Sequence, residues 1–505
     1  MLAKERARAP VGAPNAPMIT VVTMMATIMQ VLDTTIANVA LPHMQGSLGA
    51  TQDQIAWVLT SYLVAAAITT PVTAWLAAQI GRTRLFVFAL GGFTLASMLC
   101  GVAVTLPQMV LFRLMQGIFG AALVPLSQSI LLDTYPREQV GRAMGIFVMG
   151  VMVGPILGPI LGGYLTDQFS WRWCFYINVP LGIVAILGGL TFIPETAGLA
   201  KRKLDWMGFG FLSLAIACLQ LALDRGEQKS WFQSQEIMIE AALAVFGFYM
   251  FIAHSATTRR PFFDVRLFRD RTFIVSTCVT AMIMMVYYGS MALTPQMLQS
   301  EMNYPVLTAG LIMAPRGFGT IAAILVVGRV TKWISARYLI GFGLFISGLS
   351  LYLMSGWSLM VGSSQIIILG ILLGSGVGFI NVPLTTIAFS TLDSDLRTEA
   401  SAFNNLSRNI GSAAGISITS AILVQSTQTN HGYLSAFMTP FSRFAMPHTT
   451  AGLAMLNADI TRQAMMVGYI NVFMILAILC WMIIPVVMLL PAPKTAHSGP
   501  IMVGE

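Results

Sequence analysis

Charge is what this 505-residue chain has least of. Asp, Glu, Lys and Arg together make up 10% of it, against about 25% in a soluble globular protein. Long stretches carry none at all. That excludes a soluble enzyme, a disordered scaffold and a nucleic-acid-binding protein. Cysteine is scarce: the five (Cys100, Cys174, Cys218, Cys278 and Cys480) lie in or beside apolar runs. They have no paired spacing and no CxxC, so neither a disulfide framework nor a zinc site is indicated. The five His (43, 254, 431, 448 and 497) are scattered, and no nucleophile–base or metal spacing speaks for catalysis. There is no ring of charge or filter sequence of the kind a channel needs. What the chain does have is 56% hydrophobic residues, 33 Met and a net charge of +8.

A membrane-crossing helix needs about 20 apolar residues. Fourteen such runs can be read, the first at 18–41 and the last at 465–490. The first is too long, and too lacking in a small-residue cleavage site, for a signal peptide. The basic residues cluster between runs, which is how membrane proteins are oriented. With the N-terminus placed in the cytoplasm, 20 of the 28 Lys and Arg fall in inner loops and tails. Five (Arg172, Arg225, Lys229, Arg443 and Arg462) fall outside, and Arg113, Arg316 and Arg408 fall within runs. Both termini are therefore expected in the cytoplasm. Most loops are short, but 425–463 is a long polar outer insertion, read as either a tether or a docking surface. Within it, Leu453, Leu456, Ile460 and Ala464 have the spacing of a short amphipathic helix over 453–466.

The chain repeats itself weakly. Val124-Pro125-Leu126 aligns with Val382-Pro383-Leu384 at an offset of 258, and segment 75–84 with 329–338 at an offset near 254. INVPL occurs at both 177–181 and 380–384, but at a discordant offset that is taken as coincidence. An offset near 255 sets spans 1–6 against spans 9–14. The expected organisation is a cytoplasmic tail (1–17), an N-terminal six-helix half (18–195), two inserted helices (196–258), a C-terminal half (259–490) and a second tail (491–505). Parallel halves of this kind describe a secondary transporter with its site near the midplane between them.

Few residues within the spans carry chemistry. Asp33 is the one carboxylate deep in a span. An acid there costs on the order of 2.5–3.5 kcal/mol by insertion scales. It is read as a proton-coupling or substrate-binding group, the alternative being a packing hydrogen bond with Thr34, Thr35 or Asn38. Arg113 cannot shed its charge and needs an anion or carbonyls inside the membrane. Asp33 is its expected partner, the alternative being a side chain that snorkels to an interface. Arg316 is expected to face the cavity. Gly81, Arg82, Arg84 and Arg408 are expected in a latch at the cytoplasmic face, unless the basic turn is only a membrane anchor. Asn38, Gln116, Gln296, Met29, Met285 and Tyr288 complete the expected cavity lining, since flexible thioethers suit a site that accepts several shapes. Gly145, Gly154, Gly158, Pro159, Gly162 and Gly163 mark a span built for close approach of helices, expected at the interface between the halves. Arginines outnumber acids in the spans, which leans the cargo toward neutral or weakly acidic lipophilic compounds.

With these residues in place, the chain resembles the major facilitator superfamily, and within it the fourteen-span drug:proton antiporters. LDTTIANVALP (32–42) resembles the group's first-helix motif with Asp33 in the acidic position. RLMQGIFGA (113–121) resembles its fourth-span motif through Arg113, Gln116 and Gly117. The six Gly and Pro positions of span 5 match the antiporter motif. The loop at 74–84 keeps Gly81 and Arg82 but has Ala74 and Ala78 where the family has Gly and Asp. Stretches at 171–182, 223–232 and 261–273 are similar to the EmrB-type subgroup. The resemblance implies an all-α integral membrane protein of the bacterial inner membrane, with two six-helix halves plus two inserted helices. It implies proton-driven export of lipophilic drugs without a cofactor or metal, and no enzymatic activity. It further implies work alongside a periplasmic adaptor of the EmrA type and an outer-membrane channel. A narrow exporter of a fatty acid, siderophore or other metabolite is the alternative cargo reading.

Overall fold

The computed structural model describes residues 15–136, 139–195, 203–258, 261–331, 333–393, 396–438 and 449–488. The tail charges Lys4, Arg6, Arg8 and Lys494 lie outside the described residues. So do loop residues Arg137, Lys201, Arg202, Arg259, Arg260 and Lys332, His497, and the tip of the outer insertion with Pro440, Arg443, Pro447 and His448.

Every long element is a helix, because a chain in lipid must satisfy its backbone polar groups internally. The N-terminal half comprises α1 (Ala16–Ser47), α2 (Trp57–Ile80), α3 (Arg82–Val102), α4 (Leu106–Thr134), α5 (Val140–Gln168) and α6 (Trp173–Phe192). The inserted pair is α7 (Trp206–Arg225) and α8 (Gln235–Thr257). The C-terminal half comprises α9 (Arg271–Glu301), α10 (Thr308–Val330), α11 (Ala336–Met354), α12 (Ser363–Ser390), α13 (Arg397–Ala436) and α14 (Thr450–Met488). Among the described residues, thirteen of these are long and apolar enough to cross a membrane, and α5, with 29 residues, is the fourteenth long helix.

The halves meet along two seams. On one, α2 and α4 pack against α13; on the other, α5 packs against α10 and α12. The inserted pair lies against the first seam, with α7 touching both α2 and α13. At one end of the bundle the seam is pinned by charge. Asp133, at the end of α4, is paired by Arg82 of its own half, and Arg397 of the other half reaches its Oδ1 at 2.8 Å. Ser129 and Thr398 (3.0 Å), and Asn405 and Gln128 (3.2 Å), add hydrogen bonds across the halves.

The span-5 glycines work elsewhere than expected. A methyl group at Gly154 would stand 2.6 Å from Val31 Cγ1, one at Gly158 would overlap Thr35, and one at Gly162 would stand 3.0 Å from Ile36 Cγ1. All three partners belong to α1 of the same half. The glycines let α5 lie so close to α1 that Thr35 Oγ1 donates to the Gly154 carbonyl at 3.1 Å. Gly145 alone faces the other half, at Ile324 of α10, and Gly163 meets nothing within 4 Å. The Pro159 side chain lies outside the described residues. Four-residue spacing fixes a face of a helix but not the neighbour that face will meet.

The outer insertion is not a loop over most of its length. Helix α13 has 40 residues and α14 has 39, each about 60 Å at 1.5 Å per residue, twice the thickness of the hydrocarbon core. The segment expected to be a separate amphipathic helix at 453–466 is the beginning of α14. Both arms continue past the apolar stretch as one hairpin, tied by Asn471 Nδ2 donating to Ser426 Oγ (2.8 Å) and by a His431–Asn457 hydrogen bond (3.1 Å). Hydropathy reports where a membrane ends, not where a helix ends.

Substituting Gly158→Val will separate α1 from α5 and abolish the monodisperse peak in fluorescence-detected gel filtration, whereas Gly163→Ala will leave the profile unchanged.

Candidate functional site

The site begins with Asp33 and Arg113, both with fully inaccessible side chains. Arg113 Nη1 donates to Asp33 Oδ2 at 2.6 Å. The other carboxylate oxygen, Oδ1, accepts from Gln116 Nε2 at 2.8 Å and from Asn178 Nδ2 at 2.9 Å. Three helices, α4, α6 and α1, thus meet at one acid. Thr34 and Thr35 do not serve it, because their hydroxyls donate to carbonyls of their own helix. Nor does Asn38, which is exposed and bonded to the Thr34 carbonyl. Five residues along a helix turn it about 140° away from Asp33.

Arg113 does not depend on the acid alone. Its Nε donates to the Val58 carbonyl at 3.0 Å, Nη1 also reaches Gln116 Oε1 at 2.7 Å, and its guanidinium lies 4.3 Å from the centre of the Tyr62 ring. Loss of the charge on Asp33 therefore leaves the cation partly solvated by a carbonyl, an amide and a π-face.

A polar path leads from this pair toward the interior space between the halves. The Tyr62 hydroxyl accepts from Gln30 Nε2 at 2.9 Å, and Gln30 lines a cavity of about 80 Å³. The wall draws on both halves, with Thr70, Pro125 and Val151 from one and Met284, Tyr288, Asn405, Arg408 and Ser412 from the other. No acid lines it. Asn178, Gln30 and Tyr62 escape sequence reasoning, since an uncharged polar residue in a span does not announce whether it faces a partner or a backbone carbonyl.

The remaining expected lining residues divide. Tyr288 is in the wall. Met284 is there in place of Met285, a third of a turn away, while Met29 is buried in the core of the N-terminal half and Gln296 is exposed near the far end of α9. Gln116 belongs to the Asp33 cluster. Arg316 is buried on α10, donating to Ser290 Oγ at 3.0 Å with its guanidinium 4.6 Å from the Tyr287 ring centre. Arg408 stands in the cavity wall and not in the charged cluster at the bundle end, which takes Arg397 instead. Gly81 adopts φ +91°, the turn that lets Arg82 follow α2 so tightly. Arg84 pairs with Glu195 after α6.

Removing one partner of a buried pair costs about 3–5 kcal/mol, because the other charge is left stranded. Asp33→Ala is expected to lower the thermal unfolding temperature in detergent sharply. Adding Arg113→Leu to it should recover a good part of that loss.

The family model described as Major Facilitator Superfamily matches residues 23–416. The chain is 33% identical to the multidrug export protein EmrB of Escherichia coli (strain K12) over 513 residues, covering 97% of this chain and 98% of that protein. It is 34% identical to the fatty acid resistance protein FarB of Neisseria gonorrhoeae, covering 94% and 96%. Among solved structures, the human organic anion transporter MFSD10 (TETRAN) shares the fold, with a TM-score of 0.60 at 14% identity, over 92% of this chain and all of that one. Two helical halves around a shared cavity and a family match over most of the length lead to one conclusion: the chain belongs to the Major Facilitator Superfamily and is of the EmrB type.

Proposed function

We propose that this protein is a proton-coupled exporter of lipophilic drugs and toxic compounds, a transporter and not an enzyme. The observation that carries the reading is the sealed Asp33–Arg113 pair, joined through Tyr62 and Gln30 to a cavity between the halves. Full-length similarity to multidrug export proteins supports it. A proton reaching Asp33 cancels one charge, frees Arg113 from its anion and loosens the hold among α1, α4 and α6. Cargo in the cavity and the proton on Asp33 then bias the same half in turn. One proton moving down 100 mV releases about 2.3 kcal/mol, and each pH unit adds about 1.4. Either contribution alone is enough to concentrate a compound by about one to two powers of ten per proton. No cofactor is needed. The distribution of loop charges supports an orientation with both termini in the cytoplasm and the α13–α14 hairpin on the outer side of an inner membrane. There the hairpin has the length to meet a periplasmic adaptor of the EmrA type feeding an outer-membrane channel.

The coupling is tested in inverted vesicles. An imposed pH gradient will drive dye uptake by the parent protein, and Asp33→Asn will bind dye but not accumulate it. Normal accumulation by that variant would remove Asp33 from the coupling step.

A narrower cargo, an amphiphilic carboxylate, has its own support. Arg408 lines the cavity with no carboxylate paired to it among the described residues, and one relative bears the name of fatty acid resistance. A hydrogen bond to a charged group contributes about 1.5–3 kcal/mol. Arg408→Gln is therefore expected to cut export of a fatty acid roughly tenfold or more while sparing a neutral dye. Equal loss of both would assign Arg408 to the general transport cycle.

A further inference from the structure

The spans hold three arginines, and the protein serves each differently. Arg113 has a carboxylate, an amide, a carbonyl and an aromatic face. Arg316 has the Ser290 hydroxyl and the face of Tyr287. Arg408 receives neither a carboxylate nor a hydrogen bond from any described residue, and it lines the cavity between the halves. An arginine cannot shed its charge, and a charge in a membrane interior without a counter-ion costs several kcal/mol. The Asn409 amide and the Tyr288 hydroxyl stand in the same wall, and no described residue hydrogen-bonds to either side chain. Three donor groups thus share one space that no acid lines. Size decides what can answer them. The cavity measures about 80 Å³, against about 300–1,000 Å³ for a site that encloses a drug-sized molecule. A water takes about 30 Å³ of its liquid, so the space admits an ion of that order with a water or two and excludes a lipophilic compound.

We propose that in this conformation the cavity is a binding site for a small inorganic anion, chloride, held on Arg408 with the Asn409 amide and the Tyr288 hydroxyl as further donors. Hydrogen bonds from a charged donor to an anion are roughly twice as strong as neutral ones, and the low-dielectric wall behind the ion, with Val31, Val124 and Met284, offers the cation no competing acceptor. The internal repeat points the same way. The offset of 254 that aligns 75–84 with 329–338 carries Asp33 onto Tyr287 and Tyr62 onto Arg316. Where the N-terminal half supplies its own anion, the C-terminal half has a phenol, and its anion comes from solution. The ion holds the place of a charged cargo group. A carboxylate cargo must displace it and a neutral cargo need not, so chloride sets the two cargo classes apart. That last step alone rests on the exporter reading; the site does not.

The site is tested by binding, without transport. The full chain in detergent is unfolded thermally in sodium chloride and in sodium gluconate, whose anion is too large for the cavity, at one pH and ionic strength. Chloride should raise the unfolding temperature saturably, by roughly 2 °C at ten times its dissociation constant, and bromide should do the same. Arg408→Gln should lose the response. Arg329→Gln, at the exposed end of α10, should keep it. Ser412→Asp sets a carboxylate in the cavity wall one helical turn from Arg408. That variant should fold and show no chloride response, which separates a satisfied site from a lost fold. An equal response in the parent and in Arg408→Gln, a response kept in Ser412→Asp, or none in the parent would overturn the site. So would a response to sodium acetate without one to chloride, which would reserve Arg408 for the carboxylate of a cargo. No cargo and no gradient enter the measurement, so it stands apart from the outcome of the Asp33→Asn transport assay.

Discussion

Two full charges 2.6 Å apart and out of reach of solvent are the constraint around which the N-terminal half is arranged. Neither survives alone in lipid, because a stranded charge costs several kcal/mol. The carboxylate therefore gathers Gln116 and Asn178, and the guanidinium gathers Val58, Gln116 and Tyr62. These residues come from α1, α2, α4 and α6, so one ion pair fixes the relative positions of four helices. The close approach of α5 to α1, made possible by Gly154, Gly158 and Gly162, then holds the acid-bearing helix from its other side. On the exporter reading, a change of protonation at Asp33 would for that reason change the packing of a whole half.

The two halves divide the chemistry unequally. The N-terminal half holds the paired charges; the C-terminal half holds Arg316 and Arg408 near Tyr287 and Tyr288. The cavity between them has a basic wall on one side and a neutralised pair behind the other. At the end of the bundle, Asp133 binds an arginine from each half. It supplies an acid beside the turn after α2, where position 78 is alanine. The charge of Arg82 is thus met by an acid on a different helix.

Much of this was legible in the sequence, and the exceptions share a cause. Asp33 and Arg113 stood out because charge in an apolar run is costly, and cost implies a partner. Asn178, Gln30 and Tyr62 carry no such signal, since an amide or phenol fits an apolar helix with its polar atoms turned to many partners. The glycine spacing identified a close-packing face on α5, but the facing helix, α1 and not the opposite half, is decided by tertiary structure. The outer insertion reads as a loop because its composition turns polar at Gln425, although nothing from there to Ala436 breaks a helix. Asp224 lies at the end of a span, where an acid looks like ordinary solvated surface, and only the docking of α7 against α2 shows its partner.

Helix α13 has a mechanical consequence. It starts at Arg397, in the charged cluster that joins the halves at one end, and runs unbroken for 40 residues to Ala436, beyond the bilayer at the other. A rod of about 60 Å anchored at its base is a lever. A tilt of only about ten degrees at the cluster sweeps its tip through roughly 10 Å. On the exporter reading, whatever rests against the far hairpin would receive each turnover as a stroke.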